Sequence, residues 1–399
     1  MEVMLLNYKD DFKMLNKDVI YFDNAATTFK PNSVIKEVDN YYENYSVNAS
    51  RGDYDLSLLV DDKILNVRKK VAKFINAKSA NEIVFTSGAT MSLNMIIEGF
   101  FKSYLKSGDE VLTTKSEHAS LILPLFNISN KNGATISYID LEDDFSVSLK
   151  KVKEKINKNT KLIAISHVTN VIGDVRPIKE ICNLAHKLGI LVLIDASQSA
   201  PHQKIDVTDI DCDFLVFSAH KMLGPTGIGV LYGKEKYLSK VNPIIIGGGM
   251  NAFFDSNKNV LYKEVPQKLE AGTQNIAGIM GLGAAIDYIN KVGIKNIHEH
   301  EINLKKYAIK KLSKIKNIII YNKDIENGII TFNIDKVPIK YVSSYLNKNH
   351  ICIRVGSHCA KTLSEVLGVN KTLRASFYFY NTKEEVDKFV DVLKVFNLS

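Results

Sequence analysis

The sequence predicts an α/β fold: a large domain on a mostly parallel sheet, followed by a smaller α+β domain. Three observations predict it. Short β-branched runs alternate with helical stretches through the first two-thirds of the chain. Several of those runs are apolar at their centres, as strands covered on both faces are. From about Ala277 long helical stretches replace the alternation, and 399 residues exceed one ordinary core. The expected division is a large domain over 18–276 and a small one over 277–399, with 1–17 joining the small domain.

Each element has its own signal. Glu82–Phe85 reads as a strand entering the Gly88 turn, with a helix beginning near Met91. Glu110–Thr113, Thr135–Ile139, Lys161–Ser166, Leu191–Ile194 and Phe214–Phe217 read as further strands, and Ile228–Tyr232 follows a Gly-Pro-Thr-Gly turn. Ile178–Leu188 reads as a helix stopped by Gly189. In the last third, Met280–Asn290 and Asn303–Ile315 are helical. Gly328–Ile334 and Ile351–Val355 are strands, and Lys383–Phe396 is a closing helix.

Composition excludes several classes. There is no 18-residue apolar run, so no membrane span is expected. The amino terminus carries Glu2, Asp10 and Asp11 rather than a signal-peptide pattern. Four irregularly spaced cysteines do not form a disulfide framework, and a reducing, cytoplasmic setting is expected. The net charge of +8 is spread along helices and not interleaved with aromatics, so no nucleic-acid partner is expected.

Polar residues gather where strands end: Asn170 after one, Asp195 after the next, then Ser218, His220 and Lys221. In open α/β sheets those ends form the ligand crevice. Burial lowers a lysine's pKa and suits Lys221 to Schiff-base chemistry. Asp195 reads either as a helix N-cap or as the carboxylate a pyridinium nitrogen needs, with Gln198 one turn on. Thr86 to Thr90 reads either as an N-cap turn or as an anion cradle at a helix N-terminus, and it is not a Walker motif.

Tyr21 to Thr28, Gly88-Ala89-Thr90, Glu117-His118, Asp195-Ala196-Ser197-Gln198 and Ser218-Ala219-His220-Lys221 together resemble the class V aminotransferases, a fold-type I family dependent on pyridoxal 5'-phosphate. The resemblance runs in order from about residue 20 to the carboxyl terminus. It implies that Lys221 holds the cofactor as a Schiff base and that Asp195 partners its ring nitrogen. His118 stacks on the ring and moves protons, while Asn170 and Gln198 reach the phenolic oxygen. Ala89, Thr90, Ser218 and His220 hold the phosphate, with Gly272 and Thr273 arriving from a partner subunit. A homodimer follows from the resemblance, not from composition.

The carboxyl-terminal third narrows the reaction. Arg354-Val355-Gly356-Ser357-His358-Cys359-Ala360 followed by Arg374-Ala375-Ser376 is similar to SufS-type, or group II, cysteine desulfurases. Gly247-Gly248-Gly249-Met250 and Tyr380 to Glu385 resemble the same group. The resemblance implies that Arg374 binds the α-carboxylate of L-cysteine, with Asn24, Asn170 and Arg51 also at the substrate. Cys359 thiolate, beside His358 as a stabiliser, takes the sulfur as a persulfide, and alanine leaves. An acceptor of the SufE or SufU type then passes sulfur toward iron–sulfur clusters. Taken alone, Arg374 also reads as a structural ion pair and Cys359 as a buried thiol. Cys352, between Ile351 and Ile353, reads as packing. A zinc site from His350, Cys352, His358 and Cys359 matches no compact spacing, so no metal is expected.

Three features depart from the group. Ser357 stands where His is usual, Lys361-Thr362 replaces Met-Pro or Gln-Pro, and Ser50 precedes Arg51 in place of His. Two rivals use the same scaffold: a selenocysteine lyase, and a catalytically silent sulfur carrier. A nucleotide-binding oxidoreductase lacks its glycine fingerprint here.

Overall fold

The computed structural model describes residues 8–49 and 52–396. Its main sheet has seven strands, in the spatial order 83–86, 229–233, 214–218, 191–195, 160–166, 110–114, 135–139. Only Gly229–Gly233 runs against the others, and the remaining pairs from 214–218 onward are parallel. Leu191–Asp195, Phe214–Ser218 and Gly229–Gly233 are buried at every position, which is why they read as unbroken apolar runs. Because the parallel strands point one way, Ser166, Asp195 and Ser218 finish on the same edge of the sheet.

The smaller sheet is antiparallel, ordered 318–320, 329–334, 372–376, 354–356. The strand expected over Ile351–Val355 is broken at Ile353. Ile351–Cys352 pairs in parallel with Ile20–Tyr21, and Arg354–Gly356 joins Thr372–Ser376. Asn303–Ile315 belongs to a longer helix, Ile294–Leu312, and the closing helix ends at Leu393 before a short 3-10 turn. Part of the Tyr380–Glu385 motif is structural, since Thr382 and Glu385 form a capping box for that helix.

Packing moves the domain boundary. Helix Ile276–Val292 is apolar over most of its surface because it lies largely inside the large core, with Val34, Val67 and Val71 in the same cluster and only Asp287, Asn290 and Lys291 exposed near its end. The cores part within the next helix, where Ile297 belongs to the large core and Leu304 to the small one. A boundary at 276/277 therefore falls one helix too early. The segment 8–17 is placed differently from expectation too: Phe12 is fully buried in the large core, edge-on to Tyr288. Residues 1–7 lie outside the described residues. Conversely, Ile20 and Phe22 cross into the small core, so the chain passes through the junction twice.

Candidate active site

A cavity of about 220 Å³ opens where the parallel strands end and the small domain leans over them. Lys221, His118 and Asp195 line it together. The Lys221 amine is pushed down to about 8, first by burial and then by the cations Arg374 and Arg354, against the pull of Asp195. Asp195 is buried, and one of its oxygens accepts the Ser197 N–H at 2.9 Å.

His118 occupies the N-cap of helix Ala119–Asn132. Its Nδ1 accepts the Ser120 backbone N–H at 3.1 Å, so the neutral ring carries its proton on Nε2. Burial, then Lys221, pushes the imidazole down to about 4, so it is neutral at physiological pH. Ser120 Oγ lies 3.0 Å from that Nδ1 and 2.7 Å from Thr90 Oγ1, a hydroxyl chain from the histidine to the Gly88 turn. Beneath them Glu117 and Arg176 form a buried ion pair. Arg176 also donates to Ser116 Oγ at 2.7 Å, and Glu117 accepts Ser166 N–H at 2.8 Å. That network fixes the turn on which His118 stands.

At the cradle, Ala89 N–H donates to Ser218 Oγ at 2.8 Å at the start of helix Ala89–Ile96. Gly88 takes φ +150°, and a Cβ on Gly229 would lie 2.4 Å from the Gly88 Cα. Two glycines thus let the turn sit against the antiparallel strand. Thr90 and His220 complete that side, and burial, followed by Lys221 and Lys30, pushes the His220 ring down to about 4.

Asn170 and Gln198 line the cavity with one N–H each engaged, to His358 O and Ala25 O at 2.7 Å. Their side-chain oxygens are buried without a partner, as is Arg374 Nε. Orphaned polar atoms converging beside a low-pKa lysine and a carboxylate fit a polar ring such as that of pyridoxal phosphate. Among the described residues no group of three or more His, Cys, Asp or Glu side chains could hold a metal.

Arg374 is buried, donating to Asn170 O at 2.7 Å and to Asp23 Oδ1 at 2.9 Å. It is an ion-pair residue that also lines the cavity. Directly across the strand pair lies Arg354, which lines the cavity too. Two guanidinium groups side by side repel unless an anion sits between them, which suits a carboxylate. Arg354 was not singled out from sequence. A charged residue alternating with apolar neighbours in a strand opposite Arg374 was the available signal.

Cys359 is exposed and stands outside the cavity lining, at its rim. Its Sγ is 3.8 Å from Arg354 Nη2, and its carbonyl accepts Ala119 N–H at 2.7 Å. The expected stabiliser, His358, is engaged on another strand. Its Nε2 meets Thr372 O at 3.1 Å and Oγ1 at 3.0 Å, and burial, then Arg374, pushes the ring down to about 3. A neutral ring supplies no cation, and the cation beside Cys359 Sγ is Arg354.

Three further expected residues among those described, Asn24, Gly272 and Thr273, do not line the cavity. Asn24 is buried with its amide committed elsewhere, donating to Ser376 O at 2.8 Å and accepting from the Tyr380 hydroxyl. Its neighbours Ala25 and Ala26 line the cavity instead. Gly272 and Thr273 are exposed on a loop tied down by Glu270, which pairs with buried Arg68 at 2.7 Å. Arg51, with Ser50, lies outside the described residues.

A strand-end cavity with a half-buried lysine, a carboxylate and a histidine defines an α/β enzyme of the fold-type I kind. The family model for class V aminotransferases matches residues 20–389, and the chain belongs to that family. It is 43% identical over 384 residues to a probable cysteine desulfurase of Halalkalibacterium halodurans, covering 94% of each chain. A probable cysteine desulfurase of Synechocystis is 41% identical, covering 97% of this chain and 94% of that one. Among solved structures, the apo cysteine desulfurase of Thermococcus onnurineus superposes with TM-score 0.94 at 36% identity, covering 99% of this chain and 98% of that one.

Proposed function

We propose that the protein is a SufS-type, group II cysteine desulfurase. It converts L-cysteine to L-alanine, takes the sulfur onto Cys359 as a persulfide and passes it to a SufE- or SufU-type acceptor for iron–sulfur cluster assembly. The observation that carries this reading is the convergence of half-buried Lys221 and buried Asp195 with a rim where Cys359 lies against Arg354 and is bonded to the His118 turn. The names of the relatives support the activity. Pyridoxal 5'-phosphate, when bound, supplies the electron sink that lets the substrate's α-proton leave. Asp195 would partner its ring nitrogen, and Asn170 and Gln198 would offer their second N–H groups to its phenolic oxygen. Ala89, Thr90, Ser218 and His220 hold its phosphate.

The chain's own residues do the rest. Arg374 and Arg354 hold the substrate carboxylate. Lys221, with an amine near 8, takes the α-proton at neutral pH, and neutral His118 holds a transferable proton on Nε2. Cys359 Sγ attacks the substrate sulfur: the S–S bond forms as the Cβ–S bond breaks. That electron pair stays on carbon, which is protonated and leaves as alanine. The Arg354 guanidinium lies 3.8 Å from the attacking sulfur.

Gly272, Thr273 and Arg51 serve the site of a second copy in a homodimer. The exposed Phe253, Phe254, Val260 and Leu261 of a two-stranded hairpin offer apolar surface to that contact. The four free cysteines fit a reducing, cytoplasmic setting.

The test is the visible spectrum and product analysis of the purified protein given L-cysteine and a reductant. A yellow protein that forms alanine and sulfide, with Lys221→Ala losing the Schiff-base band and Cys359→Ala losing sulfide, is the expected result. A protein that binds no pyridoxal phosphate contradicts the reading. In Cys359→Ala, activity surviving on selenocysteine alone identifies a lyase.

A further inference from the structure

Cys359 stands on a turn that its surroundings hold in place. His358 and Cys359 take φ +51° and +57° in succession, left-handed values that non-glycine residues keep only when the structure around them enforces it. Within the turn, Ala360 N–H reaches Ser357 O at 2.9 Å. The other restraints come from the large domain. Ala119 N–H donates to Cys359 O, and Asn170 Nδ2 donates to His358 O, both at 2.7 Å. Beyond the cysteine, Ala360 and Leu363 are buried against Val171 and Ile172.

Thr362 adds a bond that its position does not call for. It precedes helix Leu363–Leu367, where a threonine ordinarily accepts a bond from its own helix, and its side chain makes no such cap. Its hydroxyl donates instead to Lys115 O at 2.7 Å, across the junction between domains. The Lys115 ammonium returns to Glu365 at 2.8 Å. Residues 115 and 119 flank His118 on one turn, so the thiol segment is joined to that turn on both sides of the histidine.

We propose that Thr362 is a positioning residue for the sulfur-transfer step: its bond to Lys115 fixes the Cys359 turn to the His118 turn. This rests on the desulfurase reading above. A hydroxyl at 362 does here by hydrogen bonding what a stiff residue would do by restricting the backbone. The consequence is geometric, because small misplacement of a nucleophile costs rate while leaving binding intact.

The experiment compares Thr362→Val, which keeps shape and removes the hydroxyl, with Thr362→Ser, which keeps it. In the holoenzyme, Thr362→Val should lower kcat for alanine formation about tenfold, with KM and the cofactor absorption band unchanged. Alkylation of Cys359 by iodoacetamide, which needs no turnover, should quicken about fivefold as the turn loosens. Thr362→Ser should restore both. Wild-type turnover and alkylation in Thr362→Val overturn the proposal, as does a loss confined to cofactor binding or thermal stability. A wild-type protein that makes no alanine counts against the desulfurase reading, and the alkylation comparison then decides the tether alone.

Discussion

Lys221 and His118 owe their states to the same enclosure. Burial and two nearby guanidinium groups favour the neutral amine, so its uncharged fraction grows as pH rises through about 8 rather than 10.5. Capture of pyridoxal phosphate by the apoprotein, followed by absorbance against pH, should therefore show a midpoint near 8, and one near 10.5 would contradict the enclosure. His118, pushed down to about 4, stays neutral from pH 5 upward and is not expected to supply a titration between pH 5 and 8. His118→Ala should lower alanine formation by roughly 10²–10⁴. It also removes an N-cap, with a stability cost of about 1 kcal/mol by thermal melt. Lys221 and Asp195 drew notice in the sequence because each stands at the end of an apolar strand, whereas His118 came from the resemblance to class V aminotransferases. His358 was misread because adjacency to Cys359 says nothing of where a ring points; its Thr372 partner lies on another strand.

At the scale of elements, the pairing of Arg354–Gly356 with Thr372–Ser376 sets Arg354 opposite Arg374. The pair gives a carboxylate two forks. Arg374→Lys, which keeps the charge but not the planar geometry, should raise KM for L-cysteine by roughly tenfold to a hundredfold. Steady-state kinetics check this; an unchanged KM removes Arg374 from the substrate. The seven main strands were legible to within a residue or so because a run buried on both faces has few alternatives. The break at Ile353 was not legible, because it depends on Ile20–Tyr21, more than three hundred residues away. The meeting of Arg354 with Arg374 was hidden for the same reason: a strand's partner decides which side chains meet.

Across the whole molecule, the site lies where two cores touch, and the junction is stitched by side chains bonded to backbone. Asn322 and Asn327 from the small domain donate to Ile172 O and Gly173 O at 2.7 and 2.6 Å, next to Asn170. Phe12 closes the junction from the amino-terminal side. It packs on Tyr288 and on Tyr380 at ring distances of 5.6 and 5.2 Å, and Phe12→Ala should cost roughly 3–5 kcal/mol in a denaturant melt. That role was hidden in the sequence, where one phenylalanine near a terminus carries no periodic signal. The shift of the boundary from 277 into helix Ile294–Leu312 has a similar cause: a helix apolar over most of its surface does not say which core encloses it. The account as a whole turns on Cys359 receiving sulfur from cysteine at a site organised by Lys221. The most direct measurement is a single turnover of holoenzyme with L-cysteine and no reductant, followed by alanine quantification and mass analysis of the Cys359 peptide. One alanine per site, with the peptide heavier by one sulfur atom, is the predicted result. Alanine formed without that mass gain, or no alanine from a fully loaded enzyme, would contradict it.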